Sequence, residues 1–233
     1  MLSHYKAILF DVGMTLIQPR FSDAEICAAI CAQHGCSVSL AQIEEEMSNF
    51  TDTLVARYRE KGDLWASEEG VREFFVQLYA EFFEALGLPQ SRELAAAVYQ
   101  RAQLPENWSP FPEVMGLLAE LKERGLILGV ISDWGDWLPD LLLSLGLTRH
   151  LDFVIVSAVV GATKSTPHIF QLALQRAGVR PREALYVGDT YHTDILGARA
   201  AGLRPILLDR SGSVPTTVDC PVIGSLEEIW EFL

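Results

Sequence analysis

The chain has 233 residues, 49% of them hydrophobic, which suits one α/β domain with a large insert or two small domains and excludes a disordered segment. A formal net charge of −13 with no basic stripe argues against nucleic acid as a partner. No run reaches the length of a membrane span, the start to Lys6 leads into an apolar run too short for a leader, and Cys27, Cys31, Cys36 and Cys220 form no CxxC pair. A cytoplasmic protein with reduced, packed cysteines is expected.

Along the chain, Ala7-Ile8-Leu9-Phe10 reads as a buried strand that ends in a carboxylate, Asp11, with Gly13 and Thr15 bringing turn chemistry directly after it. Strand ends are where open α/β sheets build their sites, and an Asp there can act as a nucleophile or as a ligand for a hard cation. From residue 20 to 105 the pattern becomes helical. Ser22-Asp23-Ala24-Glu25 opens a helix that stops near Gly35. A second helix runs from Leu40 to Gly62 with Ile43, Met47, Phe50, Leu54 and Tyr58 on one face. A third carries Val71, Phe74, Phe75, Leu78, Phe82 and Leu86 and stops at Gly87, and a fourth spans Arg92 to Leu104. Together they predict a small antiparallel bundle, with the aromatic stripe as its core.

Pro105 and Ser109-Pro110-Phe111-Pro112 mark the return crossing, after which strands and helices alternate. Helices are expected near 113–124, 136–145, 167–177 and 194–201, and strands at 126–131, 153–156, 184–187 and 205–208. Repeated β–α units predict a doubly wound parallel sheet that includes the first strand, so the helical block is an insertion. The expected division is an α/β core of residues 1–19 and 106–233 with an α-helical cap of residues 20–105, joined near Pro19–Phe21 and Pro105–Pro112. Two later strands also end in chemistry: one in Ser132-Asp133, the other in Gly188-Asp189, with Asp194 five residues further on. Lys164 lies between them.

This ordered set resembles the motifs of the haloacid dehalogenase superfamily, with Asp11 to Thr15, Ser132, Lys164, and Asp189 with Asp194 as its four parts. The resemblance covers essentially the whole chain and implies a Mg²⁺-dependent phosphatase acting on a small phosphorylated molecule through an aspartyl-phosphate on Asp11. It implies Asp11, the carbonyl of Gly13, Asp189 and Asp194 as metal ligands. It also implies Thr15, Ser132, Asp133 and Lys164 around the substrate phosphate, with Lys164 neutralising the nucleophile. Ser165 follows Lys164 where the family commonly has Pro. The larger departure is Gly13, where most of the family's phosphatases have the Asp that protonates the leaving oxygen. Tyr191 and His192 are the nearby replacements in sequence, though they read first as an exposed loop pair. Gly13→Asp is expected to raise turnover on poor leaving groups about ten-fold or more. The alternatives are a non-catalytic phosphate-binding or interaction module on the same fold and a metal-free 2-haloacid dehalogenase. Trp65 and Trp108 are candidates either for substrate contact or for packing.

Overall fold

Along the chain, β1 (Ala7–Phe10) leads through the Asp11–Leu16 turn into β2 (Ile17–Pro19) and then into four helices, α1 (Asp23–Gln33), α2 (Leu40–Glu60), α3 (Glu68–Ala85) and α4 (Ser91–Ala102). β3 (Trp108–Pro110) brings the chain back to α5 (Val114–Glu123), β4 (Ile127–Ser132), α6 (Leu138–Ser144), β5 (Phe153–Val156), α7 (Ser157–Val160) and α8 (Pro167–Ala177). β6 (Ala184–Gly188), a π-type turn (Tyr191–Ile195), α9 (Leu196–Ala200), β7 (Arg204–Leu208), β8 (Val222–Ile223) and a final 3₁₀ segment (Leu226–Phe232) complete the molecule. The structure is a computed structural model that describes residues 5–60, 62–214 and 217–233.

Six strands form one sheet in the order β5-β4-β1-β6-β7-β8, every pair of neighbours parallel. Alternation along each strand splits the core between the two faces. Ile8 and Phe10 of β1 and Leu185 and Val187 of β6 pack with α5, α6 and the C-terminal segment, whereas Ala7, Leu9, Ala184 and Tyr186 pack with α8 and α9. The sheet is thus doubly wound, with β1 between β4 and β6 at its centre.

Helices α1 to α4 carry a third cluster that contains no sheet residue, built on Cys27, Ile30, Ile43, Phe50, Phe74, Phe83 and Leu94. The aromatic stripe of α3 is core: Phe82 meets Phe50 edge to face at 5.5 Å, and Tyr79 packs on Phe50 at 4.6 Å. Ser22 and Glu25 form the reciprocal capping box at the start of α1. The side chain of Tyr58, expected on the same apolar face of α2, lies outside the described residues, as do Met1 to His4. All four cysteines are free, with Cys27 and Cys31 buried.

The two segments read as linkers are paired. β2 and β3 form an antiparallel ribbon with Pro19 opposite Trp108 and Ile17 opposite Pro110. Proline lacks an amide donor and is tolerated in such a ribbon because both strands are edges. The short elements β8 and α7 and the C-terminal 3₁₀ segment carry too few residues for periodicity to reveal. The helix expected at 194–201 starts earlier, as the π-type turn from Tyr191.

Candidate active site

β1, β4 and β6 are adjacent, so their C-terminal ends deliver Asp11, Ser132-Asp133-Trp134 and Asp189 to one edge of the sheet. The amide of Asp11 donates to Val187 O at 2.9 Å, tying this carboxylate's position to the neighbouring strand. The chain then turns on itself: the amides of Leu16 and Ile17 donate to Val12 O, and Met14 adopts a left-handed φ of 56°. Arg210 braces this turn from outside. Its guanidinium donates to Thr15 O at 2.9 Å and Met14 O at 3.2 Å, pairs with Glu113 at 2.6 Å and lies over the Phe111 ring.

Lys164 is the hub of the site. It is 3% exposed, and its ammonium donates to Oδ1 of Asp11 and, at 2.7 Å, to Oδ1 of Asp194. Its backbone amide donates to the Asp133 carboxylate at 3.0 Å, which positions the loop that carries it. Asp194, 1% exposed, also accepts from the Tyr186 hydroxyl at 2.7 Å and from the Thr190 amide at 2.9 Å. Ser132 sits beside Asp11, its hydroxyl 3.4 Å from Oδ1. Asp189 is half-buried at the end of β6.

A cleft of about 400 Å³ is lined by Asp11, Gly13, Ser132, Asp133, Lys164, Asp189 and Asp194, together with Leu54, Trp65 and Phe75 of the helical insert. These sequence candidates therefore meet at one place. Thr15 does not line this cleft: it is fully buried, and its hydroxyl has no hydrogen-bond partner among the described residues. Tyr191 is turned toward the surface, its hydroxyl 2.6 Å from Asp219, while His192 lies exposed at the rim of the cleft. Trp65 is 7% exposed and lines the cleft, and Trp108 packs edge to face on Trp134 at 5.1 Å.

Four contributors escaped the sequence reading. Tyr186 looks like any apolar strand residue until its hydroxyl meets Asp194. Gly188 is required by close approach: a Cβ there would lie 2.4 Å from Cγ of Asp194. Arg210 acts across 196 positions, beyond any local signal. Trp134 stands where the side chain at position 13 would go, because a Cβ on Gly13 would lie 3.0 Å from the indole's Cζ3. The backbone at Gly13 has no positive φ, so the room for a side chain is limited by the indole and not by the main chain.

Burial raises the pKa of Asp11, opposed in part by Lys164 and reinforced by Asp194. Asp189 is pushed up to about 7 by burial and by facing Asp11 and Asp194, with Lys164 too weak an offset. Burial acts to lower Lys164, but Asp11, Asp194 and Asp133 outweigh it and hold the ammonium above its ordinary value. Oxygens of Asp11, Asp189 and Asp194 come within 4.8 Å of one another, three carboxylates against one lysine. An all-oxygen donor set with excess negative charge fits a hard divalent cation such as Mg²⁺ and no soft metal.

A parallel sheet with an acid–lysine centre at its carboxyl edge, and a block of helices inserted between β2 and β3, defines a Rossmann-like fold with a helical insert. The chain matches the family described as haloacid dehalogenase-like hydrolase over residues 5–202, and it belongs to that family. It is 31% identical over 215 residues to haloacid dehalogenase-like hydrolase domain-containing protein 3 of Mus musculus, covering 90% of this chain and 83% of the relative. It is 30% identical over 211 residues to glyceraldehyde 3-phosphate phosphatase of Methanopyrus kandleri, covering 88% and 84% of the two chains. The fold is shared with YfnB of Bacillus subtilis, solved bound to magnesium, at a TM-score of 0.80, 20% identity and 98% coverage of each chain.

Proposed function

We propose that the protein is a Mg²⁺-dependent phosphatase that hydrolyses a small phosphorylated molecule through an aspartyl-phosphate on Asp11. The observation that carries this reading is the buried convergence of Asp11, Lys164 and Asp194, with Asp189 and Ser132 on the same cleft. Its family relatives include a protein named as a phosphatase.

An oxygen of Asp11 attacks phosphorus in line with the departing oxygen, forming the Asp11–phosphoryl bond as the ester bond breaks. Lys164 holds the nucleophile in place and offsets charge on the transferring group, with the Ser132 hydroxyl and the Asp133 amide as further donors to phosphoryl oxygens. Water then attacks phosphorus and returns Asp11 to its carboxylate. Mg²⁺, held by Asp11, the Gly13 carbonyl, Asp189 and Asp194, would neutralise these carboxylates and draw charge from the phosphoryl oxygens. Gly13 supplies no proton to the leaving oxygen. The cap of residues 20–105 would close over the core of residues 1–19 and 106–233 and bound the substrate. Nucleic acid is not a partner in this reading, and the protein works in the cytoplasm. Among the described residues no helix is long and apolar enough to cross a membrane.

The test is a panel of phosphomonoesters run with Mg²⁺ and with chelator. Activity should require Mg²⁺, vanish in chelator and return on adding the ion. Full activity in chelator, or turnover of 2-chloropropionate in place of phosphate esters, refutes the reading. Binding of inorganic phosphate without turnover of any ester would favour the non-catalytic alternative.

A further inference from the structure

Beside the catalytic cleft lies a second chamber of about 210 Å³ between the cap and the loop after β4. Its walls include Trp65, Phe75 and Tyr99 from the cap and Trp108, Trp134 and Trp137 from the core. Trp65, Phe75 and Trp134 also line the catalytic cleft, so the two spaces adjoin without a wall of their own. No lysine, arginine or histidine lines the chamber among the described residues.

The chamber presents ring surface. Trp134 meets Trp108 and Trp137 edge to face at 5.1 and 5.4 Å, and Phe75 meets Trp65 in the same way at 5.4 Å. Most polar atoms of these residues are engaged elsewhere, the exception being the Trp134 indole N–H, a single buried donor with no hydrogen-bond partner among the described residues. Tyr99 donates its hydroxyl to Glu68 at 2.7 Å, and the Trp108 indole N–H donates to Ala102 O at 2.7 Å. Asp133 spends its carboxylate on the Lys164 amide. Asp23, at the chamber's edge, takes the hydroxyl of Tyr79. A second phosphate, a sugar or a carboxylate would find little here to replace its water. A dry cavity of about 150 Å³ holds benzene, so this one has room for a single substituted ring.

A separate observation points the same way. With glycine at position 13 and the Trp134 indole against it, position 13 offers no carboxyl group to protonate a departing oxygen. An alkoxide leaves badly without that proton. A phenol ionises near pKa 10, as tyrosine does, and its oxygen can depart as phenolate.

Resting on the phosphatase reading above, we infer that the ligand is an aryl phosphomonoester, its ring in the aromatic chamber and its phosphoryl group against Asp11. The Asp11 oxygen–phosphorus bond forms and the phosphorus–aryl oxygen bond breaks, with the electron pair leaving on the phenolate, which takes its proton from solvent. Water then cleaves the aspartyl-phosphate, yielding inorganic phosphate and the free carboxylate.

The experiment compares phenyl, benzyl and ethyl phosphate as substrates of the full chain in Mg²⁺, with phenylphosphonate and methylphosphonate as non-hydrolysable probes. Benzyl phosphate keeps the ring but leaves as an alkoxide, which separates ring binding from leaving-group chemistry. KM for the phenyl and benzyl esters should fall at least about ten-fold below that for ethyl phosphate, as burying a ring among aromatics allows. The phenyl ester should also lead in kcat. Phenylphosphonate should bind more tightly than methylphosphonate by a similar factor. Ala102→Phe, which puts a ring into the chamber without removing a core side chain, should bring both ratios close to one. Equal KM values across turned-over esters, or ratios unmoved by Ala102→Phe in a folded protein, overturn the aryl assignment alone. If no ester is turned over while phenylphosphonate keeps its advantage, the phosphatase reading fails and the ligand class stands. If neither turnover nor preference is seen, both fail.

Discussion

Gly13→Asp would install the carboxyl group that this site lacks, and the structure sets how much it can give. General acid help is typically worth about 10²–10⁴-fold, or roughly 3–5 kcal/mol of barrier. Against this stands the Trp134 indole. A Cβ at position 13 lies 3.0 Å from its Cζ3, about 0.5–1 Å inside the optimum for carbon–carbon contact. The ring cannot yield freely: its backbone amide is held by Ser157 Oγ at 3.1 Å, and Trp108 and Trp137 brace its edges. Overpacking of this kind costs about 1–3 kcal/mol, a fall in Tm of roughly 2–12 °C for a chain of this size. A catalytic group displaced by about 1 Å loses about 10²-fold, which cancels the lower part of the gain. The single variant should therefore improve kcat on ethyl phosphate by less than about ten-fold, below what the sequence alone suggests. Gly13→Asp combined with Trp134→Ala should exceed Trp134→Ala by at least about ten-fold on ethyl phosphate and far less on phenyl phosphate. Steady-state kinetics on the four proteins, with Tm and Mg²⁺ titrations alongside, make the cycle. A gain of about 100-fold in the single variant would show that the indole is no obstacle. No gain in a folded, Mg²⁺-binding double variant would show that another group already serves as the acid.

Asp11→Asn should abolish turnover and leave the fold intact, since an amide does not attack phosphorus at a useful rate; activity above a few per cent of wild type would remove Asp11 from the nucleophile role. Gly188→Ala should push Asp194 off Lys164, Tyr186 and Thr190, costing about 3–5 kcal/mol by denaturant titration and weakening Mg²⁺ binding. A variant structure with Asp194 unmoved would refute that account. Arg210→Ala frees the Met14 and Thr15 carbonyls and strands Glu113, so stability should drop about 2–4 kcal/mol and kcat should fall with KM little changed. Unchanged kcat in the folded variant would mean that the turn after β1 holds itself.

Much of the architecture was legible because it rests on local chemistry. Apolar runs ending in Asp11, Ser132 and Asp189 mark strands of a sheet buried on both faces, and the Ser22–Glu25 box and the stops at Gly35 and Gly87 mark helices of the insert. The acidic and basic residues of the centre were legible for a similar reason, since each follows a strand or heads a loop and the sheet's order then brings them together. What escaped was everything decided by contact at a distance. The pairing of β2 with β3 depends on two edges meeting across an 88-residue excursion, which no turn signal between them records. The use of Tyr186 as a donor, the bracing by Arg210 and the demand for glycine at 188 exist only once Asp194 and the Met14 turn are in place. The same holds at the position that matters most for chemistry. The sequence by itself determined that residue 13 carries no acid. Only tertiary packing decided that an indole from the next strand's loop occupies the space, because excluded volume is a property of atoms brought together and not of any residue alone.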